Sequence, residues 1–281
     1  MTANAELFRF LQKLVNDMYE DLELPGFPNI VARLQQTLAD DNSSARDIVR
    51  LVSSDAALSA RLLQLANSAA FKPGDRDISD LKAAVTLLGF SLVRGTATTF
   101  AMRQMEQQEW LQPLKPQLHQ IWLESTGVAA ICYVGARHIA GMRPDEALAA
   151  GLFHQLGTLY VLTRAHREGI AMGDADEWNA TIADWTPTIA RAILENWRVP
   201  EHLTNAVENQ NALGREEQGT LSLLARLLAA AKLYQQMQNP RADQVALQAM
   251  LADVKFGTQP FMTTMQSARD EIEKVRRVIG Q

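Results

Sequence analysis

The chain has 281 residues, 47% of them hydrophobic and 21% charged, with a net charge of −5 and one cysteine. So much apolar material can offset the ordering entropy of folding, which excludes disorder, and a single thiol excludes a disulfide framework or a cysteine-built metal site. Negative net charge, with a pI near 5.6, argues against nucleic acid as a partner, since phosphate binding needs clustered cations.

With 15 glycines and 10 prolines, turn-formers are few and long helices are favoured over many short strands. Leu7, Phe10, Leu11, Leu14, Val15 and Met18 mark one stripe of an opening helix over residues 5–21. Leu24-Pro25-Gly26-Phe27-Pro28 breaks it, and Ile30, Leu34 and Leu38 resume the helical spacing. Ser44 and Asp47 form a capping-box pattern, and Ser54-Asp55 caps a helix carrying Leu58, Leu62, Leu63, Leu65 and Ala66. Ser79 opens the next helix, Gly89 closes it, and another runs over residues 91–107.

Pro113 and Pro116 mark a boundary, followed by two mostly apolar helices over residues 117–141 and 145–167. Thr186-Pro187 and Val199-Pro200 each pair a cap with a helix-starting proline. A Leu/Ala-rich helix over 220–237 precedes weaker segments over 242–254 and 259–279. No alternating strand pattern or repeat stands out. The expectation is an all-α fold of two packed helical lobes joined near residues 108–116. Its divisions are an N-terminal helix (1–21), a first lobe (22–110), and a second lobe with a C-terminal helical extension (111–281).

No apolar run reaches the ~18–20 residues of a membrane span, and the candidate stretch Ser125 to Ala136 is uncharged for only 12 residues before Arg137. Met1 to Glu6 carries no basic region of a secretory signal, so a cytoplasmic location is expected, with no membrane partner.

Several ordered blocks then become recognisable. Leu24-Pro25-x-Phe27-Pro28, Ser54-Asp55-Ala56-Ala57-Leu58 and Arg61-Leu62-Leu63-Gln64-Leu65-Ala66-Asn67-Ser68 resemble the opening of the HD-related output domain (HDOD) family. Ile78-Ser79, Leu87-Leu88-Gly89, Ile121-Trp122, Gly151-Leu152-Phe153-His154 and Trp197-x-Val199-Pro200 continue the likeness in order. The resemblance covers Leu22 to Asn211 and implies a bacterial, all-helical signalling module. It also implies a second lobe related to the HD phosphohydrolases, metal enzymes that cleave phosphoesters.

Such enzymes need imidazole and carboxylate ligands around a divalent cation that polarises the phosphoryl group and generates hydroxide. Aligned with that pattern, the first histidine position holds Glu124 and the His-Asp pair reads His154-Gln155. The lysine that often follows becomes Thr158, the paired histidines become Gln210-Asn211, and the later aspartate falls near Ala230-Ala231. Gln for Asp removes a bridging anion, and Gln210 and Asn211 are poor ligands that cannot act as acid or base near pH 7. The site therefore reads as degenerate, with no catalytic residue, no bound metal and no other cofactor. The expected function is a non-catalytic regulatory module receiving a signalling protein or small ligand at Glu124, His154, Gln155, Gln210 and Asn211. The rivals are a phosphohydrolase with one weakly held divalent metal, and a nucleic-acid-binding regulator. The terminal helices offer a surface for a homodimer.

Bland roles stand beside these. His154 suits a core histidine bonded to a carbonyl or to Glu124 as well as a ligand contact. Asp55 reads as a cap, Asn67 as a turn-backbone partner, Cys132 as a core thiol, and His119, His166 and His202 as surface residues with no acidic residue at ligand spacing. Arg33, Arg46, Arg50 and Arg61 read as solvated charge.

Overall fold

The computed structural model describes residues 3–17, 24–40, 42–72, 74, 77–172, 175–213 and 221–280. It is all-α apart from one small hairpin. The opening helix α1 (Ala3–Asp17) buries Leu7, Phe10, Leu11 and Leu14; the predicted Met18 lies outside the described residues. After the Pro25-Gly26 turn come α2 (Asn29–Ala39), α3 (Ala45–Val52) and α4 (Ala56–Ala66). The capping box of α3 forms in full, with Ser44 and Asp47 each bonding the other's backbone N–H. Asp55 caps α4 by accepting from the Leu58 N–H. Asn67 bonds the Leu63 and Ile78 carbonyls and accepts from the Ile78 N–H, closing the following loop on itself.

Helix α5 (Leu81–Met105) starts one residue later than Ser79 predicts, because Asp80 supplies the capping oxygen, to the Ala83 N–H. Its two halves meet at Gly89, whose φ of +72° only glycine adopts without strain. Read across that kink, α5 is long and apolar enough to cross a membrane, but 67% of its most apolar window is buried inside the molecule. It is a core helix. A 3₁₀ turn (Glu109–Leu114) then leads into α6 (Lys115–Arg137), with Pro116 in its first turn.

Helix α6 packs against α5, α7, α12 and α15, so it is the axis of the second lobe. The continuous helix expected over 145–167 is two helices, α7 (Pro144–Phe153) and α8 (Leu156–Arg167), with a corner at His154-Gln155. Helix α7 lies so close to α6 that a Cβ on Gly151 would sit 2.4 Å from the Ala129 Cα. Beyond α8 come α9 (Ala175–Ile182), α10 (Thr186–Asn196), α11 (Glu201–Glu208) and α12 (Leu223–Gln236). Thr186 does not cap α10: Trp185 holds the cap position and Thr186 is already helical. Pro200 occupies the cap position of α11.

The C-terminal part is more divided than its sequence suggests. After α13 (Gln244–Ala252), strands β1 (Lys255–Phe256) and β2 (Gln259–Pro260) pair antiparallel through a turn at Gly257. Then α14 (Phe261–Ser267) and α15 (Arg269–Ile279) replace the single helix expected over 259–279. Phe261, Met265, Ile272, Val275 and Ile279 are buried, so this extension belongs to the same apolar core as the preceding lobes.

Candidate functional site

Four parts of the second lobe converge on one polar cluster: α6, the α7–α8 corner, the turn after α11, and α12. The expected residues Glu124, His154, Gln155, Gln210 and Asn211 all come to it. The Glu124 carboxylate accepts from the Gln155 side-chain amide at 2.7 Å and from Gln120, one turn earlier on α6, at 2.8 Å. His154 is 2% exposed, and its Nδ1–H donates to the Gly151 carbonyl at 2.6 Å. Because a carbonyl only accepts, this bond fixes the Nδ1–H tautomer. Burial, helped by the charge of Lys232, pushes the imidazole down to about pKa 3 against that bond, so it stays neutral.

Of the two acceptors expected for a core His154, a carbonyl or Glu124, the carbonyl is the one it uses. His154 finds its acceptor three residues back, at the last turn of α7, and Glu124 finds its donors in two amides.

Gln210 is 3% exposed and donates to the carbonyls of His154 and Val207, at 3.0 and 2.9 Å. Its side-chain oxygen accepts from Lys232 Nζ at 2.9 Å, and the Asn211 Oδ1 accepts from the same ammonium. Lys232 is the residue that the sequence reasoning missed. It stands directly after Ala230-Ala231, where an aspartate was expected, and reverses the charge there. A signal was available: Lys232 is the only charge between Arg226 and Arg241. Burial pushes its ammonium down to about pKa 8, with Glu124 opposing the shift. Among the described residues, no carboxylate lies within ion-pair distance of it.

Two clefts open from this cluster. One, of about 750 Å³, is lined by Thr158 and Leu162 of α8, Trp178, Asn179 and Ile182 of α9, and Gln210, Asn211 and Leu213. The other, of about 890 Å³, passes His154 and reaches Asp243, Ala246 and Leu247 around the start of α13. Gln120, Glu124, Gln155, Lys232 and Gln236 line both. The aromatic and amide contributions of α9 and Gln120 carry no motif and were not foreseen.

The donor set does not fit a divalent cation. Gln155, Gln210 and Asn211 are neutral amides already bonded to neighbours, His154 has one nitrogen committed, and Glu124 is the sole anion. A lysine ammonium sits among them, and it would repel a metal at close range. The described residues contain no group of three or more His, Cys, Asp and Glu side chains suited to a metal.

The other singled-out residues take structural places. Cys132 is fully buried, which raises its thiol pKa and leaves it inert. His119, His166 and His202 lie at the surface, yet two have acidic partners from distant segments: His119 is 3.5 Å from Glu106, and His202 is 3.0 Å from Glu146. His166 bonds the Trp110 carbonyl, and His138 is exposed. Arg33, Arg46 and Arg50 are exposed, whereas Arg61 is partly buried and donates to the Val278 carbonyl.

Comparison with known proteins places the fold. A crystal structure from Shewanella amazonensis, provisionally titled a metal-dependent phosphohydrolase, superposes with a TM-score of 0.70 at 24% identity, covering 98% of this chain and 99% of that one. An HDOD domain protein of unknown function from Geobacter sulfurreducens gives 0.57 at 19% identity, covering 96% of both chains. These likenesses establish the fold. An uncharacterized protein of Treponema pallidum is 25% identical over 202 residues, which are 66% of this chain but 37% of that protein. The sequence profile of the HDOD domain matches residues 24–213, and with that match over most of its length the chain belongs to the HDOD domain family.

Proposed function

We propose that this chain is a non-catalytic, cytoplasmic regulatory module whose second lobe receives a ligand where HD-type hydrolases hold metal. The carrying observation is Lys232: an ammonium bonded to Gln210 and Asn211 stands among the expected ligand positions. A fixed cation there supplies positive charge without a metal, and with it neither a Lewis acid nor a metal-bound hydroxide is available for phosphoester cleavage. His154, held neutral with a pKa near 3, is too weak a base to replace that hydroxide near neutral pH. What remains is recognition: two clefts with a carboxylate, an ammonium and several amides between apolar walls.

Metal analysis of the purified chain, combined with phosphodiester turnover, tests the reading. The expected result is no stoichiometric transition metal and no chelator-sensitive hydrolysis. One bound metal per chain, with turnover that chelator abolishes, overturns it.

A further inference from the structure

We propose that the cleft between Glu124 and Lys232 binds the head group of a free α-amino acid with an apolar side chain. The inference deepens the preceding section and rests on its reading of the cleft as a ligand site.

Opposite charges share this cleft without touching. Glu124 and Lys232 line the same walls, yet no ion pair joins them. Each is instead held by two amides: Glu124 by Gln120 and Gln155, Lys232 by Gln210 and Asn211. An ammonium has three donors and each carboxylate oxygen two acceptor sites, so both groups keep hydrogen-bonding capacity after these contacts. Amides that fix two opposite charges apart oppose the collapse that would otherwise satisfy them. The arrangement suits a ligand that bridges the gap, offering a carboxylate to Lys232 and an ammonium to Glu124.

An α-amino acid carries both groups on one carbon. A phosphate matches only half of the pair and meets Glu124 with like charge. The secondary amide of an extended peptide carries its N–H and C=O on opposite edges, so it cannot meet both groups from one side. Beyond the charges, Leu162, Met172, Trp178, Ile182 and Leu213 supply apolar walls for a side chain. The cleft, about 750 Å³, admits even an aromatic one.

Titration calorimetry on the whole chain at pH 7, with leucine, methionine and phenylalanine, tests the proposal. At least one is expected to bind, with N-acetylation or carboxamidation of that ligand weakening it about tenfold or more. Glu124→Gln and Lys232→Met should each cause a similar loss while the circular dichroism spectrum is unchanged. The blocked ligands act on the unaltered protein, so the test survives a variant that misfolds. No binding at about 10 mM, or equal binding of free and blocked forms, overturns the proposal. If the chain also proves metal-free, only this inference falls; if it carries a metal with chelator-sensitive turnover, the non-catalytic reading falls with it.

Discussion

Among the described residues, Arg94 and Lys232 are both cations shielded from water with no carboxylate in ion-pair contact, and they do different work. Arg94, on the second half of α5, is 4% exposed and donates to the Trp197 carbonyl at 2.7 Å, while Phe27 stacks on the Trp197 ring at 5.5 Å. This ties the first helices to the turn after α10. Lys232 also bonds neutral oxygens, but it stands beside two open clefts. Burial lowers Arg94 to about pKa 10 and Lys232 to about 8, so the arginine stays charged near neutral pH while the lysine stands close to losing its proton. A guanidinium with its donors spread in a plane suits a sealed joint, and a point charge that responds to its surroundings suits a site.

One pair of substitutions separates these roles directly. Arg94→Ala removes a packed stem and orphans the Trp197 carbonyl, and should cost about 3 kcal/mol in urea unfolding. Lys232→Met keeps the stem volume and removes a charge that is costly to bury, which offsets the Gln210 and Asn211 oxygens left without their donor, so its change should stay within about 1 kcal/mol. The reverse ranking would break the comparison.

The next effect appears in acid. His154 has a folded pKa of about 3 against 6.5 for the free group, so below pH 6.5 the unfolded chain takes up a proton that the folded chain refuses. Stability from this group is full above 6.5 and falls toward pH 3 with a limiting slope of about 1.4 kcal/mol per pH unit. Urea midpoints between pH 7 and 4 should fall less steeply in His154→Gln than in the wild type.

A further effect is alkaline. Lys232 has a folded pKa near 8 against 10.5 unfolded, so the unfolded chain holds the extra proton between those values and stability rises with pH across that window. Lys232→Met should abolish the rise. A rise that persists in the variant would assign it to another group.

Several local signals are legible in the sequence, and the tertiary ones are not. The Ser44–Asp47 box, the Asp55 cap and the Gly89 kink each depend on a few adjacent residues, so their chemistry is written in order along the chain. The corner at His154-Gln155 has no glycine or proline to announce it. It forms because α7 and α8 must face different neighbours, α6 on one side and α10 on the other. The same limit applies to the site. Its five expected residues can be placed through their blocks and partly bond one another, but Gln120 for Glu124 and Lys232 for Gln210 and Asn211 come from outside them. Lys232 belongs to no motif, because it carries the opposite sign to the expected aspartate and stands one position further along.

The contact between Gly151 and Ala129 carries a last consequence. With no side chain between them, α6 and α7 meet almost backbone to backbone, so atomic radii fix their separation. Glu124 on α6 and Gln155 just past the end of α7 are bonded across the same seam at 2.7 Å. The frame thus holds its spacing independently of the polar side chains it carries.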